Sequence, residues 1–262
     1  MRKRMVAGNW KMNLTGHEGA ALVDAFIDKV RFNDKTEVVV CPPYLAMSEV
    51  RKAVRDTEVK LGAQDVFWKE KGAFTGNVSA GMLSEYGVKF CIVGHSETRG
   101  RFGKLEVPES TLPYFGETDE TVNLKIKALI YEGICPILCV GETLSERESN
   151  QIDVVIKKQL EGALDGVDGS ELDGFVVAYE PVWAIGTGET CDTPEANRVC
   201  GMIRSVLAEL YDQELADKTR ILYGGSVKPD NAKDLFSQED IDGGLVGGAS
   251  LKSDDFARIV SA

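Results

Sequence analysis

His95, Glu180 and Lys11 are side chains that move protons and hold anions, and each stands just behind a short apolar run of the kind that forms a buried strand. These runs end Gly94-His95-Ser96-Glu97, Glu180-Pro181-Val182-Trp183 and Gly8-Asn9-Trp10-Lys11. A glutamate can take a proton from carbon, an imidazole can donate to an oxygen on which charge develops, and a lysine beside an amide such as Asn9 can stabilise the resulting anion. Two more runs end in glycine-rich turns, Gly224-Gly225-Ser226 and Gly247-Gly248-Ala249-Ser250, whose backbone N–H groups suit a phosphate. Behind Glu180, Pro181 fixes the backbone and opens an apolar stretch containing Trp183 and Ile185, bounded by Gly186 and Gly188. That stretch reads as a lid able to exclude water. Each feature also has a plain structural reading: a packed histidine, a strand-end glutamate, a solvated lysine, turns that need positive φ. Cys139 and Glu142 read as structural, and Cys135 and Cys139 point to one face of a strand.

What would bring them together is a repeated unit. Eight short β-rich runs recur, at 4–7, 37–41, 59–63, 90–93, 135–140, 175–179, 219–223 and 243–247. Several are continuously apolar, such as Val38-Val39-Val40 and Phe175-Val176-Val177-Ala178, as parallel strands covered on both faces must be. Between them lie segments with helical period, for example Leu22, Val23, Phe26, Ile27 and Val30, then Val199, Ile203, Val206, Leu207 and Leu210. The second is expected to start with Thr193 as N-cap and Pro194 at the first helical position. Without a Ser/Gly/Pro-rich linker, this predicts one α/β domain over residues 1–262, a closed (β/α)8 barrel of eight parallel strands ringed by helices. In such a barrel the residues following the strands share one face.

Composition narrows the ligand. With 42 acidic against 30 basic residues the chain carries −12, which argues against a nucleic-acid or anionic-membrane surface. No apolar run reaches membrane-span length, and the start lacks the long apolar stretch of a signal peptide. Two histidines and six cysteines without a C-x-x-C pair argue against a metal centre or disulfides and favour thiols in a reducing compartment.

Taken in order, several motifs carry a specific resemblance: Gly8-Asn9-Trp10-Lys11-Met12-Asn13, Gly72-Ala73-Phe74-Thr75-Gly76, Val93-Gly94-His95-Ser96-Glu97, Ala178-Tyr179-Glu180-Pro181-Val182-Trp183-Ala184-Ile185-Gly186-Thr187-Gly188, Tyr223-Gly224-Gly225-Ser226-Val227 and Gly244-Leu245-Val246-Gly247-Gly248-Ala249-Ser250-Leu251. Over essentially its whole length the chain resembles the triosephosphate isomerases, a TIM-barrel family. The resemblance implies cofactor-independent, cytoplasmic interconversion of dihydroxyacetone phosphate and D-glyceraldehyde 3-phosphate in glycolysis and gluconeogenesis. It implies Glu180 as base and His95 as a neutral imidazole polarising the carbonyl, an arrangement for which this family is itself the reference case. It further implies Lys11, Asn9 and Glu97 in the catalytic cluster, with Cys139 as packing support. Asn9, Lys11, Gly186, Ser226, Gly247 and Gly248 would bind the substrate, and the Thr75 loop would dock on the partner of a homodimer.

Three departures from the family pattern stand out. Asn77 and Thr98 replace a glutamate and an arginine that often pair across the subunit interface, and Glu189 stands at the lid's far hinge where lysine is common. Phe102-Gly103 recurs as Phe115-Gly116, so a thirteen-residue insertion at about 104–116 is expected after the fourth strand. Burial of Leu105, Val107, Leu112 or Tyr114 there could extend the subunit interface. Two other readings stay open: a different phosphate-binding barrel enzyme, related to indole-glycerol phosphate synthase, and a catalytically silent barrel. The joint presence of Asn9, Lys11, His95 and Glu180 argues against the first, and the intact lid against the second.

Overall fold

The computed structural model describes residues 2–30 and 33–262. Eight parallel strands close into a barrel in sequence order, β1 (Arg4–Asn9), β2 (Thr36–Cys41), β3 (Lys60–Ala63), β4 (Phe90–Val93), β5 (Cys135–Val140), β6 (Val176–Tyr179), β7 (Arg220–Tyr223) and β8 (Gly243–Val246). β8 returns to β1 with Val6 opposite Gly244 and Gly8 opposite Val246. All eight expected runs are strands.

Strand alternation divides the apolar residues into two sets. Met5, Ala7, Val39, Ile92, Ile137, Cys139, Ala178 and Leu245 fill the barrel interior. Their neighbours Val6, Val40, Val93, Val140, Val177 and Val246 join the layer beneath the helices. Those helices are α1 (Gly16–Val30), α2 (Met47–Ala53), α3 (Ala80–Glu85), α4 (Asp119–Tyr131), α5 (Leu144–Glu148), α6 (Ile152–Leu164), α7 (Thr193–Leu210), α8 (Gln213–Lys218), α9 (Ala232–Phe236) and α10 (Ser253–Val260).

The start of α7 corrects one expectation. Asp192, not Thr193, is the N-cap, its carboxylate accepting from Glu195 N at 2.8 Å, and Pro194 falls one position later than expected. An aspartate also complements the positive end of the helix, which threonine cannot. At the barrel floor Arg204 donates to Asp242 at 2.9 Å and to the carbonyls of Ala216 and Thr219, all well buried, and so ties α7 to the sheet below the site.

Candidate active site

The strand ends of β1, β4 and β6 bring Asn9, Lys11, His95, Glu97 and Glu180 together, while the lid and the turns behind β7 and β8 contribute Gly186, Ser226, Gly247 and Gly248. One cleft of about 770 Å³ includes Asn9, Lys11, His95, Glu180, Gly186, Ser226, Gly247 and Gly248 in its lining. Glu97 is absent from that lining and reaches the cluster from one side, its carboxylate 2.5 Å from Lys11 Nζ. A Cβ placed on Gly247 would lie 3.7 Å from Lys11 Cε, so the lysine stem runs beside the glycine turn behind β8.

Each of these side chains is aimed by a local constraint. Gly94 turns the chain at φ +69°, which places His95 over the barrel mouth rather than along β4. Glu97 N donates to His95 Nδ1 at 3.2 Å. A nitrogen that accepts there carries no hydrogen, so the imidazole proton lies on Nε2, facing the cleft. Lys11 has φ +52°, a strained conformation for a side chain with a Cβ. It is pinned by its own N–H on Asn9 Oδ1 at 3.1 Å and by Gln64 Nε2 donating to its carbonyl at 2.9 Å.

Glu180 is almost fully buried and turned onto β4. Its carboxylate accepts from Ser96 N at 2.9 Å and Ser96 Oγ at 3.2 Å, and lies 3.0 Å from His95 Nε2. Burial alone would raise its pKa, but His95, the Ser96 amide and Lys11 outweigh burial and hold it below the ordinary carboxylate value. For His95 burial works downward, yet Glu180 first and Glu97 second lift its pKa above the usual imidazole value. That lift depends on Glu180 staying against Nε2.

Glu142, read from sequence as structural, is fully buried at the lid's near hinge. It accepts from Trp183 Nε1 at 2.7 Å and Tyr179 OH at 3.1 Å, while Arg147 stacks 4.4 Å over the Trp183 ring. Its pKa is raised by burial. Sequence reasoning missed two neighbours of the cluster: Ser96 lies inside a recognised motif but received no role, and Gln64 has no local signal. Gly224, read as part of a phosphate-binding turn, also stands where a Cβ would come within 3.0 Å of Glu180 Cγ.

Beside the cleft a second hollow of about 230 Å³ is lined by Lys11, Met12, Tyr44, Gln64, Glu97 and Thr98, among others. Of its lining residues, Met12 is almost wholly exposed and Tyr44 partly so. The loop carrying Thr75 projects from the same molecule, with Phe74 stacked on Phe67 at 4.7 Å. Asn77 Nδ2 donates to the Phe74 carbonyl within its own loop, and Thr98 Oγ1 donates to Glu117. Among the described residues, no group of three or more His, Cys, Asp or Glu is placed to hold a metal ion, and no helix is long and apolar enough to cross a membrane.

A closed parallel barrel with a glutamate, a histidine and a lysine around one glycine-rimmed mouth defines a (β/α)8 barrel with its acid–base groups where enzymes of this fold carry their active sites. The sequence model of the family described as triosephosphate isomerase matches residues 4–262. The triosephosphate isomerases of Thermoanaerobacter sp. (strain X514) and Alkaliphilus oremlandii (strain OhILAs) are each 49% identical over 261 residues, covering 100% of both chains. That of Carboxydothermus hydrogenoformans is 48% identical over 260 residues, covering 99% of this chain and 98% of its own. The chain belongs to the triosephosphate isomerase family, and its reaction is the interconversion of triose phosphates.

Proposed function

We propose that Glu180 removes the proton from the carbon beside the substrate carbonyl and returns it to the neighbouring carbon, through an enediolate. The observation that carries this is the buried Glu180 carboxylate, kept ionised beside His95 Nε2 and Ser96 at the floor of the cleft. His95 donates Nε2–H to the oxygen that gains charge, because Nδ1 is committed as an acceptor. Lys11 and Asn9 stabilise the same charge, and Glu97 holds the Lys11 ammonium. The amides of Gly186, Ser226, Gly247 and Gly248 hold the phosphate, and lid closure excludes the water in which an enediolate phosphate would expel its phosphate. A coupled assay with glyceraldehyde 3-phosphate tests this: turnover is expected, and its absence contradicts the reading.

The working unit is a homodimer in which the partner's Thr75 loop fills the hollow beside Lys11 and Glu97. The exposed Met12 and Tyr44 that line that hollow support it, as an apolar rim suits a protein partner. Thr75→Arg is expected to yield weakly active monomers, measured by sedimentation at several concentrations; a variant that stays dimeric contradicts this docking. The six free cysteines, five of them buried, support a reducing cytoplasmic setting.

A further inference from the structure

The lid leans on a loop that the catalytic account does not use. The chain from Gly100 to Gly116 leaves the carboxyl end of β4 and returns through a tight neck. Arg101 N donates to Ser96 O at 2.8 Å and Glu117 N donates to Thr98 O at 3.2 Å. A Cβ on Gly100 would lie 2.7 Å from the Phe115 carbonyl, and Phe102 packs edge-on against Phe115 at 5.3 Å. Arg101 anchors one side, donating to Gly141 O at 3.0 Å and pairing with Glu146.

Past this neck the backbone of Gly103 presses on the lid. A Cβ there would stand 2.3 Å from the Val182 carbonyl oxygen, 2.5 Å from that of Ile185 and 3.1 Å from Thr187 Cγ2. Two of these are backbone atoms, so no other residue fits while the lid holds this position. At the lid tip the situation is opposite. A Cβ on Gly186 or Gly188 would meet nothing within 4 Å. Among the described residues, the hydrogen bonds of residues 184–189 reach no further than Pro181. Gly103 is not part of the cleft lining, which contains Ile185, Gly186 and Gly188, so it supports the lid from outside.

With the Gly186 amide donating no hydrogen bond among the described residues and open space around Gly186 and Gly188, the lid stands open here; we propose that the Gly100–Gly116 loop is its rest, contact with Gly103 stabilising this open position and so setting how much of the lid's closing free energy a ligand must supply. The proposal rests on the reading that Gly186 grips the phosphate together with Ser226 and Gly248. A ligand held by the closed form binds more weakly by the fraction of molecules kept open. Removing the rest therefore tightens such a ligand.

Two variants and one probe test this. Gly103→Ala drives a methyl into the two lid carbonyls, and deletion of residues 101–114 joins Gly100 to Phe115, which already touch. The probe is 2-phosphoglycolate, an unreactive phosphate monoester whose carboxylate has the charge of the enediolate. Calorimetric titration is expected to give a Kd at least about threefold lower for both variants. Hydrogen exchange at the amides of residues 184–188 in the free protein is expected to be faster in the deletion. Unchanged or weaker binding by the deletion overturns the proposal. Tighter binding by the deletion alone overturns the assignment to Gly103. Should Gly103→Ala fail to fold, the deletion alone decides. A native chain that does not bind the probe overturns the phosphate reading and the proposal with it, whereas native binding matched by both variants overturns the lid rest alone.

Discussion

The two ends of the cleft are built in different ways. At the end proposed to carry the reaction, Asn9, His95 and Glu180 are buried and hydrogen-bonded to residues at the ends of β1 and β4. At the end proposed to hold the phosphate, Gly186 and Gly248 are exposed, Ser226 and Gly247 half-buried, and among the described residues the Gly186 amide donates no hydrogen bond. The contrast teaches a division of labour. Proton transfer needs side chains held to within fractions of an ångström, which a strand end in a packed barrel supplies. Anion capture needs backbone N–H groups that can close around a ligand and open again, which glycine turns and a hinged loop supply.

Breaking the reacting end should harm turnover, and breaking the phosphate end should harm affinity. The largest effect is expected from Glu180→Ala: kcat falls by about 10²–10⁴-fold, while 2-phosphoglycolate still binds. Near-full turnover in a coupled assay would remove Glu180 from the base role. A smaller effect, on KM rather than kcat, is expected from Ser226→Pro, which deletes one N–H at the phosphate end. A hydrogen bond to a charged group contributes about 1.5–3 kcal/mol, so KM should rise by about tenfold or more; a fall in kcat with KM unchanged would place Ser226 at the reacting end instead.

The smallest effect concerns pH. In the free enzyme His95 titrates above its ordinary value because Glu180 and Glu97 face it, whereas Glu180 titrates below its own. As pH falls, the imidazole therefore gains its second proton while Glu180 is still a carboxylate. That proton must go to Nδ1, where it meets the Glu97 N–H, and kcat/KM declines through the raised histidine value. Glu97→Gln removes one of the two raising charges, so the acid limb should move to lower pH; a limb that stays or moves upward would contradict this.

How much of this was legible in the sequence follows the same contrast. The strand ends were readable because continuous apolar runs such as Cys91-Ile92-Val93 mark buried parallel strands, and the polar residue that follows must emerge at the barrel mouth. The start of α7 was misread by one residue because Asp192 and Thr193 are both able caps, and only the bond from Glu195 N distinguishes them. That Glu180 rests on Ser96 rather than pointing at the substrate position is set by a contact between β4 and β6, which no local pattern carries. Gln64 reaches Lys11 from the end of β3 in the same way. The repeated Phe-Gly drew attention to the loop after β4, and Leu105, Val107 and Tyr114, expected there as interface side chains, stand exposed on this subunit. The contact of Gly103 with the lid is a meeting of two backbones, and backbone proximity leaves no trace in side-chain periodicity.

The central claim is that a proton leaves and returns to carbon by way of Glu180. Following the reaction in deuterated water by NMR tests it most directly. The account predicts that deuterium appears on the carbon beside the carbonyl of the product made by the native chain, and that Glu180→Gln loses this incorporation together with turnover. Isomerisation with no solvent deuterium in the product, or with undiminished incorporation in Glu180→Gln, would contradict it.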